Sequence, residues 1–154
     1  MDDEIAAYAA SIRSRFALLA DCIRDFPEGR LNERPIAGGN SAWALVEHTI
    51  GNARAWIPGI ALGEERGRDR PGEFASHGDD RGALLAQIDA ARAEVDAALA
   101  RLTPERLGVR LTPARELWGE GVPREIAVRE AVLQVIEHAS LHAGHLHAVR
   151  DLLQ

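Results

Sequence analysis

Apolar residues recur at intervals of three and four in four separate runs of this chain, a period that predicts four amphipathic helices. The first run is Ile5, Tyr8, Ile12, Phe16, Leu19 and Ile23, a helix from about Asp3 to Asp25 that Pro27, Glu28 and Gly29 bring to an end. The segment EGRLNERPIAGGN then reads as a loop. Asn40 or Ser41 can cap a second helix, which turns Leu45, Val46, Thr49, Ala53, Trp56 and Ile57 inward and weakens at Pro58 and Gly59. Residues 63–78 are charged and rich in Gly and Arg, so they read as a loop. Asp79 and Asp80 suit the positive start of a third helix, with the stripe Leu84, Ile88, Ala91, Val95, Ala98 and Leu102. Thr103-Pro104-Glu105 reads as a cap, a first-turn proline and a short helical turn. The stretch to Gly121 is irregular, and Pro123 opens the fourth and longest helix, to about Leu153. No convincing pair of strands and no internal repeat stands out. The pattern predicts one all-α domain over residues 1–154, a four-helix bundle with longer connections before helices 2 and 4 that leave room for a crossover.

Composition narrows the function. Abundant Ala and Leu with only 5% aromatics favour helix over sheet. A net charge of −6 gives no basic footprint for DNA or RNA and no attraction to anionic lipid. No apolar run approaches the ~18 to 20 residues of a membrane span. The acidic start MDDEIAAYAASIRSRF is unlike a signal peptide, and a lone Cys22 cannot form an internal disulfide. A cytoplasmic protein is expected. All 18 basic residues are arginine, a mark of genome composition and not of chemistry.

Chemistry concentrates in VIEHASLHAGHLH, which holds four of the six histidines. Advancing about 100° per residue puts Ala131, Val135, His138, His142, Val149 and Leu153 on one face of the last helix. His145 lies beside His138, and His147 lies opposite, near Arg129 and Ser140, so three imidazoles are expected to face inward and one to face water. His138 and His142, one turn apart, can converge on one ion. A third ligand must come from elsewhere, and His48 in SAWALVEHTIG is the candidate if helices 2 and 4 are neighbours. Three histidines would leave an open position for water or a thiol. The alternative is that these are core histidines with ordinary hydrogen bonds.

The order of elements resembles the DinB/YfiT-like family of small four-helix bundles, with GGNSAWALVEHTIGNARAWI in the second helix and HASLHAGH in the last. The resemblance implies a metal triad of His48, His138 and His142, a divalent zinc, nickel or iron ion, and dimerisation. It also implies a link to stress response, and thiol-dependent isomerase or S-transferase activity with mycothiol or bacillithiol. Where the family run reads H-E-x-x-H-x-G-Q, this chain has Ala139 for the glutamate and His145 for the glutamine. His145 is left either to hydrogen-bond a ligand or water, or to pack.

Other residues are placed around that centre. Trp43 and Trp56 flank His48 as core or interface aromatics, with Trp56 a possible pocket wall, and Trp118 can cover the site from the loop before helix 4. Arg66, Arg68 and Arg70 read as a solvated loop, the alternative being a clamp for an acidic cosubstrate. Glu137 projects away from His138, Ser140 points away from the histidine face, His77 is solvated, and Cys22 is a packing residue. Three readings follow: a metal-dependent transferase, isomerase or hydrolase acting on a small molecule; a non-catalytic metal-binding stress module; and a plain helical-bundle homodimer without metal.

Overall fold

The computed structural model describes residues 2–154 and is helical throughout its core. Helix α1 spans Asp3–Arg24, with Asp2 accepting from the Glu4 and Ile5 amides at its start. Helix α2 spans Ala42–Arg54 and runs on as a widened π-helical turn, Ala55–Ala61. Pro58 lies inside that turn; it has no N–H to donate, and the wider winding absorbs the missing bond. Short helix α3 spans Arg70–Ala75, α4 Arg81–Ala100, α5 Pro104–Leu107 and α6 Val128–Leu153.

Three expectations need correction. A strand pair does exist, though a small one: β1 (Arg110–Leu111) pairs antiparallel with β2 (Ile126–Ala127). The last helix therefore starts at Val128 and not at Pro123. The ladder holds residues 126–127 extended, and Glu130 Oε1 then accepts the Ala127 amide at 2.9 Å to begin the helix. Segment 63–78 is likewise not all loop, because it carries α3.

Four long helices form the bundle, and α1 packs on α4 and α6, as does α2. Helices α1 and α2 are thus diagonal, as are α4 and α6. Arg129 reaches Glu4 and Arg15 reaches Ser140, so α1 and α6 run parallel; Arg13 on Asp96 and Arg81 on the Arg24 and Phe26 carbonyls make α1 and α4 antiparallel. The two diagonal crossings are made by connections 25–41 and 101–127, before the second and the last long helix, where the sequence left room for a crossover. The α1 stripe Ile5, Ala9, Ile12, Phe16, Leu19 and Ile23 is sealed against Leu84, Ile88, Ala91 and Val95. Each large side chain buried there contributes about 1.5–3 kcal/mol over its exposed state. No helix among the described residues is long and apolar enough to cross a membrane.

Candidate metal centre

The phase of α2 is set at its first turn, where Ser41 Oγ accepts the Ala44 amide at 3.2 Å. Two turns on, His48 is carried into the seam with α6 and is 4% exposed. On α6, His138 and His142 face it from adjacent turns. His138 Nε2 lies 3.0 Å from His48 Nε2 and 3.2 Å from His142 Nε2. The three nitrogens fall within 4.8 Å of one another. The structure therefore brings together the three histidines that the sequence singled out, across 90 positions of chain.

Helix α3 supplies what the sequence reading missed. Asp69 caps it by accepting the Gly72 amide at 3.0 Å, and Pro71 sits in its first turn. That cap-and-proline signal, Asp69-Arg70-Pro71, was present in the sequence but too short to show periodicity. Glu73 Oε2 lies 2.8 Å from His48 Nδ1, and Arg68 donates from Nε and Nη2 to the two Glu73 oxygens at 2.8 and 2.9 Å. The Arg68 side chain is only 7% exposed, so the expectation of a solvated arginine loop fails here. Phe74 stacks on the His48 ring at 4.2 Å. Gly51 makes the contact possible: a Cβ there would come within 2.0 Å of Glu73 Oε1.

Burial and mutual repulsion keep His138 and His142 neutral. Burial first, then the facing His142 and His48, hold His138 down at about 2, and burial with His48 and His145 holds His142 at about 4. Burial works to raise the Glu73 carboxyl, but the hydrogen bonds from His48 and Arg68 outweigh it and leave Glu73 below its ordinary value. With Glu73 ionised, His48 Nδ1 carries the proton and donates to it, which leaves Nε2 as a bare lone pair.

The donor set fits a cation. A ring nitrogen makes one full in-plane hydrogen bond, as donor or as acceptor. His138 Nε2 has two close nitrogen neighbours, so one of the two contacts lacks a full hydrogen bond, a mismatch that an ion shared by three lone pairs removes. Nitrogens about 2.0–2.1 Å from one tetrahedral ion lie about 3.3–3.4 Å apart, close to the contacts seen. The far nitrogens, Nδ1 of His138 and of His142, are buried without a hydrogen-bond partner among the described residues.

Beside the cluster lies a cavity of about 150 Å³ lined by His48, Asn52, Arg68, Arg70, Leu117, Trp118, Gly119, Glu120, Gln134 and His138. Trp118 thus stands at the site, its indole fixed by Pro113 O at 3.1 Å. Trp56 is not a pocket wall; it is 1% exposed and meets the Trp118 ring edge-on at 5.7 Å. His145 does not face inward. It is exposed on a separate, largely apolar recess with Ile36, Leu45 and Val149, and its ring stands 5.4 Å from that of His142. The helical angle placed it beside His138, but the neighbours at that level, Ile36, Leu45 and Val149, leave an open recess in which the ring stays exposed. His147 is half-buried instead of facing water. His77, Glu137 and Ser140 are exposed, and Cys22 is fully buried, its thiol pushed up to about 11 by that burial.

Fold and cluster together define a helical-bundle protein with a histidine centre between two facing helices. The chain belongs to the DinB superfamily, whose family model matches residues 11–146. YfiT from Bacillus subtilis, described as a probable metal-dependent hydrolase with an unusual four-helix bundle topology, superposes with a TM-score of 0.76 at 16% identity, covering 99% of this chain and 90% of that one. The DinB-like protein YjoA from Bacillus subtilis gives a TM-score of 0.69 at 19% identity, over 96% of this chain and 92% of that one. A mycothiol-dependent maleylpyruvate isomerase gives 0.70 at 17% identity; 95% of this chain matches 63% of that longer one. At these identities the likeness is one of fold. No curated protein matches the chain.

Proposed function

We propose that this protein is a metal-dependent enzyme in which Nε2 of His48, His138 and His142 hold one divalent ion and a small-molecule substrate enters the adjoining cavity. The observation that carries the reading is the convergence of three Nε2 atoms, two of them on imidazoles that burial holds neutral and the third on a ring aimed by an ionised carboxylate. Imidazole nitrogens suit zinc, nickel and iron alike. When bound, such an ion supplies Lewis acidity, which lowers the proton affinity of a coordinated thiol or water. Glu73 fixes the tautomer and tilt of His48, Arg68 keeps Glu73 ionised, and Phe74 covers the ring from water. Trp118 and Leu117 shield the cavity on its outer side.

The sharpest version is thiol-dependent S-transfer or isomerisation, supported by the fold shared with the mycothiol-dependent isomerase. Hydrolysis is the second reading, supported by the fold shared with YfiT. Metal analysis of untagged protein tests the centre: about one divalent ion per chain is expected, and His142→Ala should lose it. Untagged protein that neither contains metal nor takes up zinc, nickel or iron leaves only a helical bundle. Assay of mycothiol and bacillithiol against electrophilic substrates then tests the chemistry; metal-loaded protein silent with every thiol but active on esters or amides would favour hydrolysis.

A further inference from the structure

The cavity beside the histidines carries more information than its size. Asn52 lies one turn beyond His48 on α2, and Gln134 lies one turn before His138 on α6, so the two amides face each other one layer deeper in the same seam. Asn52 is 3% exposed, and the side-chain oxygens of both residues are buried without a hydrogen-bond partner among the described residues. Unpaired buried amides cost free energy, and a ligand that reaches them recovers it. Both line the cavity.

The charges on the lining are unequal in commitment. Arg68 gives its fork to Glu73. Glu120, the lining carboxylate, is exposed at the rim. Arg70 has no carboxylate within ion-pair distance among the described residues. Its guanidinium rests on the Phe74 ring, 5.1 Å from the centroid, the same ring that stacks on His48. Gly119, at φ +56, brings its backbone past Arg70; a Cβ there would lie 3.4 Å from Arg70 Nη2. A free, planar fork held on an aromatic face at the cavity wall is suited to bidentate capture of an oxyanion. A cavity of this size admits a short organic acid.

We infer that this cavity is a subsite for small organic carboxylates, with Arg70 binding the carboxylate and Asn52 and Gln134 meeting a hydroxyl or amide group of the same molecule. Its catalytic meaning rests on the histidine centre being reactive; its binding does not.

Calorimetric titration of the full chain with L-malate, succinate, malamide and inorganic phosphate tests this, on protein as purified and again after chelation. Saturable malate binding is expected in both, with malamide absent or far weaker. Arg70→Gln should weaken malate by about ten- to a hundredfold, the size of a charge-assisted pair. Arg70→Lys should recover part of that loss, and Arg66→Gln, whose residue lies outside the cavity, should change nothing. Asn52→Ala should remove malate's advantage over succinate. No malate binding, malate binding indifferent to Arg70→Gln, malamide binding as tightly as malate, or phosphate binding as tightly would each overturn the inference. Protein that takes no metal but still loses malate on Arg70→Gln would sink the metal reading and leave the subsite. Metal-loaded protein whose malate affinity ignores Arg70 would do the reverse.

Discussion

The two antiparallel seams of the bundle differ in what they bury. Between α1 and α4 the interior is hydrocarbon, built from Ile5, Ala9, Ile12, Phe16 and Leu19 against Leu84, Ile88, Ala91 and Val95. Between α2 and α6 it is mixed, and the fully buried polar side chains, Ser41, His48, Thr49 and Asn52, all belong to α2 or its cap. Burying polar groups is unfavourable unless each finds a partner. Thr49 finds one in Leu45 O at 2.7 Å, but Asn52, His138 and His142 keep unused atoms. One seam is thus arranged for stability, while the other gives up stability to hold groups that something else must satisfy.

The comparison can be tested from the strongest effect downward. Phe16→Ala should cost about 3–5 kcal/mol in urea unfolding while the folded fraction keeps its metal content; a cost under about 1 kcal/mol would mean the α1–α4 seam does not anchor the fold. His142→Ala should abolish the zinc-linked rise in melting temperature, which for intact protein corresponds to about 2.7 kcal/mol at a hundredfold excess over Kd. Glu73→Gln keeps the shape of the contact but loses the ionised acceptor, so metal affinity should fall about 10–100-fold, measured by chelator competition with unchanged helicity.

The buried histidines of the α2–α6 seam and the buried Cys22 of α1 should respond to opposite ends of the pH scale. In chelated protein, His138 and His142 titrate at about 2 and about 4, below the ordinary 6.5, so the unfolded chain takes up protons first. Their contribution to stability is full above about 6.5 and is lost as pH falls towards 4 and then 2. Cys22, at about 11 against an ordinary 9.0, is the converse: its contribution is full below about 9 and is lost as pH rises towards 11. Urea midpoints against pH for His138→Gln and Cys22→Ala should flatten the acid and the alkaline limb respectively, the second being the smaller change.

The helical parts of this arrangement were legible because a helix face repeats. His138 and His142 stand four apart on a long periodic run, so spacing singled out that pair; His48 lies at the edge of another run, and its place opposite them was implied by the family resemblance and not by spacing. The walls were not legible, for physical reasons particular to each. Residues 63–78 have no stripe to read, since α3 buries no residue fully and is held by a cap, a proline and the Glu73–Arg68 pair. The strand pair is two residues long on each side, below any alternation that a sequence could reveal. His145 was misplaced because an angle around a helix does not say how closely the neighbouring elements pack over it.

Gly51 has a consequence for how this protein can be improved or damaged. Glycine inside a helix is normally a weakness, about 0.5–1 kcal/mol worse than alanine, and Gly51→Ala is the kind of exchange that engineering for heat resistance would favour. Here the added methyl would occupy the space of the Glu73 carboxylate and push it off His48. A sturdier α2 would then carry a loosened imidazole, so a gain in melting temperature at position 51 should come with weaker hold on metal.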